Sequence, residues 1–539
     1  MRDWDRAETA IRASDFDAAA SSLLGPSRPL RLESFFKNTP SHDLMYSTPP
    51  RGAAVPPAEL RAWKTEARRR RSAALWTLAG AAEMAAGRAA AAEAALTRAL
   101  ALDPALAAAS LARAAVRLSL SRAKRDNRLL PGCLDDLDRA VALAPDDPRA
   151  LRLRAELGND CDDLDGARRD LERALALDPE NGWARAELAD LFCDAGEFEK
   201  ARPLMNSLAP KNGGEGWYWA LRGRALALSG KSAEGLRALE KAVALSPRLA
   251  SAVGWRGEAY RRAGRYREAL RDLDRSLALD PGFVYAYEWR SRLRLMLGEP
   301  RKALADAERI VRRDARHRYG PALRGEALFK LGRFAAAAAD FDRVYPLDAS
   351  RTWNPVVTEG QLTSGEERDA AFRRDVDQAL AKHPRSAAAW TLAGRFLGAA
   401  GRREEALAAL TRAASLANAP KALAWRGRVR LDAGEAAAAL SDLKAALRLA
   451  PADARARCWK AEALLALGDE RKAMAEYGRA LSRPSAPAFG FLARAALRAR
   501  AGDWAKARAD YAAAFALDVK SAAARLGLAE CRRRLGTGR

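Results

Sequence analysis

The sequence is poor in the residues from which catalytic centres and disulfide frameworks are built. Its three histidines, His42, His317 and His383, lie far apart, so a zinc site of ordinary ligand spacing is not supported. The five cysteines, Cys133, Cys161, Cys193, Cys458 and Cys531, are odd in number and form no CxxC pair. Reduced thiols in small-residue slots fit them best. No charge-free stretch of about 18 apolar residues occurs, so no membrane-spanning helix is expected. The first residues, MRDWDRAETAIRASD, are amphipathic and carry both charge signs. They lack the apolar core of a signal peptide, and the cytoplasm is the expected compartment. There is no Gly-rich phosphate loop after a strand and no nucleophile elbow. The expectation is a protein that is not an enzyme, with no catalytic residue, cofactor or metal.

What is present points to a large folded array. The chain has 539 residues, 49% of them apolar and 30% charged. That composition suits a folded protein, and the length implies several domains or a repeat array. The net charge of +24 has two readings. One is an acidic partner such as nucleic acid. The other, which we prefer, is compositional, since Arg far outnumbers Lys and Ala is abundant.

Residues 1–24 read as a helical hairpin, with helices near Arg2–Arg12 and Phe16–Leu24. Residues 25–57 carry Pro26, Pro29, Pro40, Pro49, Pro50, Pro56 and Pro57, which forbid a continuous helix. Phe35, Phe36, Met45 and Tyr46 make this stretch too apolar for a free linker, so a docking loop is expected. Residues 58–71 read as a charged helix ending in the run Arg68–Arg71, taken as a solvated face.

From Ala73 a period emerges. Pro145 and Pro179 are 34 residues apart, as are Pro247 and Pro281. Units begin at Ala73, Ala107, Pro148, Gly182, Gly216, Ala250, Val284 and Arg318, and a second run begins at Ala387, Pro420, Ala454 and Ala488. Each unit reads as two amphipathic helices and a turn. Such a pair cannot bury its apolar face alone, so neighbours must stack.

The motifs are specific. Trp76 and Trp390 occupy unit position 4. Gly80, Gly223, Gly257, Gly325, Gly394 and Gly427 occupy position 8. Gly87, Gly196, Gly230, Gly264, Gly298, Gly332, Gly401, Gly434, Gly468 and Gly502 occupy position 15. Ala269, Ala303 and Ala406 stand at position 20, with Leu273, Phe341 and Tyr511 at 24. Pro281 ends its unit by pushing Asp280 out of the helical region. On these residues the chain resembles the tetratricopeptide repeat family over about three quarters of its length. The resemblance implies an all-α fold: a right-handed α-solenoid of about twelve helical hairpins, degenerate units and a C-terminal capping helix.

The expected organisation has five parts. Residues 1–72 hold the hairpin, Pro-rich loop and charged helix, and 73–349 the first array of eight units. Residues 350–386 interrupt it with a half-repeat, 387–519 hold a second array of four units, and 520–539 a cap and tail. Arg71–Gly80 (RSAALWTLAG) and Arg385–Gly394 (RSAAAWTLAG) are nearly identical, which indicates a duplicated block. The Ala107 unit carries about seven extra residues, read as a basic loop around Ser121–Pro131. The stretch 209–216, APKNGGEG, replaces a Pro turn and suggests a bend or hinge.

A row of cations occupies position 7: Arg113, Arg154, Arg222, Arg256, Arg290, Arg324, Arg426, Lys460 and Arg494. Position 23 of the same units holds Asp136, Asp170, Ala238, Asp272, Asp306, Asp340, Asp442, Glu476 and Asp510. Eight of these nine cations thus have an acid at 23, and the three units without the cation (Ala79, Leu188, Ala393) lack the acid too. Charges that come and go together predict structural ion pairs between the helices of a unit, with Arg suited by its planar fork. Arg222, the exception, either bonds elsewhere or meets a ligand.

In the resembled family, ligands lie along a groove lined by the first helices. The candidate partner-binding residues are Trp183, Trp217, Arg224, Trp255, Glu258, Arg261, Tyr285, Arg292, Tyr319 and Phe329. Interleaved aromatics and arginines make good recognition surfaces. Rings at position 2 (Trp183, Trp217, Tyr285, Tyr319) are expected to face the groove, and those at position 6 (Trp255, Trp289, Trp425, Trp459) to pack between units. The expected function is a protein-interaction scaffold for an extended peptide or partner segment. The alternatives are RNA binding through the basic surface, or recruitment of substrate for a separately encoded enzyme such as a glycosyltransferase.

Overall fold

The computed structural model describes residues 3–13, 15–24, 55–124, 126–212, 214–313, 319–344 and 365–536. The expected docking loop lies mostly outside the described residues, and 350–364 lies wholly outside them. Apart from one short 3₁₀ turn at Asn127–Leu129, the regular structure described is α-helical. The protein is an all-α repeat solenoid.

The chain divides into two compact units. The division falls at Gly214–Glu215, inside the Gly-rich 209–216 stretch, rather than at the 350–386 interruption. The first unit comprises Met1–Gly214 and Trp504–Arg539. It starts with helices Trp4–Arg12 and Phe16–Leu24, followed by Pro57–Arg69. Hairpins then follow as Ala73–Ala85 with Ala89–Leu102, Ala107–Lys124 with Leu130–Leu143, Pro148–Asp160 with Leu164–Leu177, and Gly182–Asp194 with Phe198–Asn212. The unit also holds the last pair, Trp504–Leu517 and Ala522–Leu535.

The second unit, Glu215–Asp503, stacks Gly216–Leu228 with Ser232–Leu245, Ala250–Arg262 with Tyr266–Leu279, Val284–Met296 with Pro300–Arg313, and Gly320–Lys330 with Phe334–Val344. Helix Gly365–Lys382 precedes Ala387–Ala399 with Arg403–Leu416, Pro420–Asp432 with Ala436–Leu449, Ala454–Ala466 with Glu470–Leu481, and finally Ala488–Arg500.

Local chemistry fixes these boundaries. In the Ala250 unit, Gly264 takes φ +75°, a left-handed turn that closes the first helix at little steric cost. Gly257 lies where a Cβ would sit 3.0 Å from Leu273 Cγ, so the two helices touch through a missing side chain. The Gly216 unit is tighter still. Cβ atoms at Gly223 and Gly235 would each come within about 3 Å of the opposite backbone. The duplicated blocks also share local geometry. Ser72 and Ser386 each accept a hydrogen bond from the backbone amide three residues on, at 3.2 Å in both cases. Thr77 and Thr391 donate back to the carbonyls of Ala73 and Ala387.

One sequence expectation changes here. The basic loop near Ser121–Pro131 is short, because the first helix runs on to Lys124. Arg122 bonds Glu156 at 2.7 Å and Asp160 at 2.8 Å in the next hairpin. The Arg68–Arg71 run is exposed as expected, with Arg70 bridging to Asp5 and Glu66 and Arg68 5.8 Å from the Trp76 ring centre.

Candidate interaction surface

The position 7 arginines lie between the two helices of their hairpins. Arg256 donates from Nε to Asp272 Oδ2 at 2.7 Å and from Nη2 to Oδ1 at 2.9 Å. The same two-point contact joins Arg113 to Asp136, Arg154 to Asp170, Arg290 to Asp306, Arg324 to Asp340 and Arg426 to Asp442. Lys460 meets Glu476 at 2.9 Å with its single ammonium. Arg494 lies 5.8 Å from the Phe491 ring centre, and Asp510 is buried.

Sequence comparison missed two further partners. The remaining Nη1 of the position 7 Arg reaches back to position 25 of the preceding hairpin: Arg290 to Asp274 at 2.6 Å, Arg154 to Asp138 at 3.2 Å and Arg426 to Thr411 at 3.2 Å. A second Arg at position 11 shares the same acid: Arg117 on Asp136, Arg294 on Asp306 and Arg430 on Asp442. One guanidinium therefore holds its own hairpin closed and ties it to its neighbour. Asp136, Asp272, Asp306, Asp340 and Asp442 are all buried, so their polar oxygens depend on these partners for hydrogen bonds. Arg222 donates to the Tyr218 hydroxyl at 3.3 Å and lies over the Trp219 ring, whose centre Lys241 also approaches at 3.8 Å.

The candidate groove residues divide sharply. Glu258 and Arg261 are both 3% exposed. Arg261 donates to Glu258 at 2.7 and 2.8 Å, and Arg262 adds a third bond at 2.9 Å. Burial pushes the Glu258 carboxyl up, but Arg261 and Arg262 more than offset this and hold it below the usual range. Arg292 is likewise buried and pairs with Glu288 at 2.7 Å, and Glu326 and Phe329 are buried too. These side chains, expected on the surface, build the interior of the first-helix layer. Charged groups read as recognition elements are satisfied within the chain. Trp183 lies in helix Gly182–Asp194, but its side chain is outside the described residues.

An aromatic cluster remains on the first helices. Trp255 and Trp289 meet at 4.5 Å between ring centres, packing across adjacent hairpins as Trp425 and Trp459 do at 4.9 Å. Tyr285 stacks on Trp289 at 5.9 Å with a 28° interplanar angle. Arg224 lies 4.7 Å from the Trp255 ring centre and Arg292 4.5 Å from that of Tyr319, within cation–π range. Trp217 and Tyr285 are the open members, 38% and 36% exposed. Trp255 and Arg224, on first helices, and Tyr319, just before one, are half-buried.

Among the described residues no group of three or more metal-ligating side chains occurs, and no helix is long and apolar enough to cross a membrane.

Comparison with known proteins fits this repeat geometry. Models described as tetratricopeptide repeat match residues 162–225, 250–283, 290–351 and 426–488. No curated protein matches the chain. Among solved structures, the chain is similar to a tetratricopeptide repeat protein from Parabacteroides merdae, at 15% identity and TM-score 0.43, covering 50% of this chain and 99% of that one. It is also similar to the APC/C hetero-tetramer Cut9-Hcn1, at 15% identity and TM-score 0.39, covering 85% of this chain and 88% of that one. A third likeness is to the P58(IPK) TPR domain, at 17% identity and TM-score 0.24, covering 85% and 97%. With the hairpins, the turn glycines and the family models in agreement, this chain belongs to the tetratricopeptide repeat family.

Proposed function

We propose that the protein is an interaction scaffold that holds an extended peptide or partner segment against the first-helix surface around Trp217, Trp255, Tyr285 and Tyr319. The observation that supports this reading is the exposure of Tyr285 on the stacked Trp289, with Trp217 also open on the first helix that carries Arg224, whose guanidinium lies over Trp255. Large rings held in one conformation offer contact area at a small entropic cost. Family membership supports a protein partner in general. The aromatic surface supplies the finer part of the proposal, and it leaves the Glu258, Arg261 and Arg292 charges to internal structure.

The test is selection of extended peptides from a display library on the intact chain, followed by affinity measurement with Trp217→Ala and Tyr285→Ala. Each variant is expected to lose roughly tenfold or more in affinity while keeping its helical circular dichroism, as hot-spot aromatics do. Selected peptides that bind both variants as tightly as the parent would exclude this surface. Selection of generic RNA, with affinity falling steeply as salt rises, would favour the nucleic-acid reading instead.

A further inference from the structure

A solvated, Arg-rich face shielding the end of the solenoid is what the sequence suggests for the final helix. Within the first unit, however, its cations and those of the preceding stretch, Trp504 to Lys520, face acids far away in sequence. Arg508 bonds Asp135, and Arg532 bonds Asp138 and lies 3.4 Å from Asp135. Arg525 bonds Asp163, and Lys520 approaches Asp162 at 4.0 Å. Four cations of the last helix pair thus meet four acids of the second and third hairpins.

Two of these acids are unusual for their places in the repeat. Position 22 carries Asp135 here, where three other units have Arg169, Arg237 and Arg271 and the rest have no acid. Position 15 carries Asp162, where ten other units have Gly. Asp162 nevertheless takes φ +62°, the left-handed conformation that glycine adopts in the other turns. A side chain there costs about 1 kcal/mol of strain. Asp163 caps the following helix by accepting from the Gly166 amide, so its carboxylate is held rigidly toward Arg525. The side chains on both faces keep partial exposure, with values between 13% and 37%. Partly solvated pairs of this kind respond to ionic strength.

We infer that Trp504–Leu535 is an ionic latch: a basic helix pair docked in cis on the acidic face formed by Asp135, Asp138, Asp162 and Asp163, and released when those charges are screened or removed. The acidic face is therefore a docking site whose occupant is the chain's own C-terminal pair. A second copy could fill it only by exchanging that pair.

Hydrogen exchange on the full chain tests the latch. Between about 50 mM and about 1 M salt the Debye length falls to roughly 3 Å. Exchange at residues 127–143 and 504–535 should rise together across that range, while residues 250–310 hold steady. Asp135→Asn, which leaves the Arg154 contact of Asp138 in place, should produce the same rise at low salt, severalfold or more, with unchanged helical circular dichroism. Asp135→Arg combined with Arg508→Asp should restore protection, which a general loss of stability would not permit. Protection at 504–535 indifferent to salt and to Asp135→Asn would overturn the inference, as would failure of the swapped pair to restore it. Recovery of protection only as concentration rises, with a dimer on sedimentation, would show that the pair docks in trans and would overturn the cis assignment. The readout is independent of any peptide, so it stands or falls separately from the aromatic surface.

Discussion

Arg256 and Asp272 meet at two points, 2.7 and 2.9 Å, across the two helices of one hairpin. The acid is buried and the guanidinium is 18% exposed at its side chain, so solvent does little to screen the pair. The same contact recurs along the chain as a ladder, so the row of position 7 arginines is explained by internal pairing without reference to a ligand.

Removing Asp272 leaves a partly buried guanidinium without its main partner. Asp272→Ala is expected to cost about 3 kcal/mol, read as a lower urea midpoint. Arg256→Ala with Asp272→Ala together should cost clearly less than the sum of the single changes. Asp306→Ala should cost more than Asp272→Ala, because Asp306 holds both Arg290 and Arg294. Additive midpoint shifts in the Arg256 and Asp272 cycle would remove the pairing energy from the account.

Two glycines of the Gly216 unit should respond differently to the same substitution. Gly230 takes φ +85°, and a Cβ added there would meet nothing within 4 Å, so Gly230→Ala should cost only about 1–2 kcal/mol of backbone strain. At Gly235 a Cβ would lie 2.6 Å from the Ala227 backbone nitrogen and 2.9 Å from the Gly223 oxygen. Gly235→Ala must push the helices apart and should cost about 3 kcal/mol or more. Thermal unfolding of the two variants compares them directly, and equal losses would show that the hairpin adjusts freely.

Glu258 makes stability depend on pH in a definite direction. Its folded carboxyl titrates below the ordinary value of 4.5, so its contribution is present above that value and is lost as pH falls through the lower, folded one. Glu258→Gln should therefore destabilise at neutral pH, and the gap to the parent should narrow as pH falls below the ordinary carboxyl value of 4.5. Denaturation midpoints measured from about pH 3 to about pH 8 check this. A gap that persists undiminished in acid would mean that the charge of Glu258 is not what stabilises the layer.

All five cysteines are buried and in no disulfide. Burial pushes the Cys133 and Cys458 thiols far above their ordinary range, which suppresses the reactive thiolate. Ellman's reagent should label the native protein slowly and all five thiols once denaturant is added. Rapid native labelling of either Cys133 or Cys458 would show local opening of its hairpin.

Much of the hairpin architecture was legible because repetition supplies its own controls. Gly264 and its counterparts stand alone at the one turn position that needs a left-handed backbone, and Arg256 can be compared with units that lack both it and the acid. The position 11 arginines carried the same kind of signal, since Arg117, Arg294 and Arg430 recur in register. The fate of Glu258 and Arg261 was not legible. A charged pair three residues apart on a helix looks the same in sequence whether water or a neighbouring hairpin covers it. The Arg532 contacts were equally hidden, because nothing in a 34-residue period relates the last helix to acids almost 400 positions earlier.

The sequence by itself determined the repeating unit: where helices begin and stop, which small residues let them touch, and which charges pair inside a hairpin. Those properties follow from backbone geometry and from neighbours a fixed number of residues away. Only the tertiary structure decided which first-helix side chains are exposed. It left Trp217 and Tyr285 open, buried Glu258, Arg261 and Arg292, and set the C-terminal arginines against Asp135 and Asp138. Burial and long-range charge pairing depend on how successive hairpins stack, and small rotations between them accumulate beyond what any one repeat encodes.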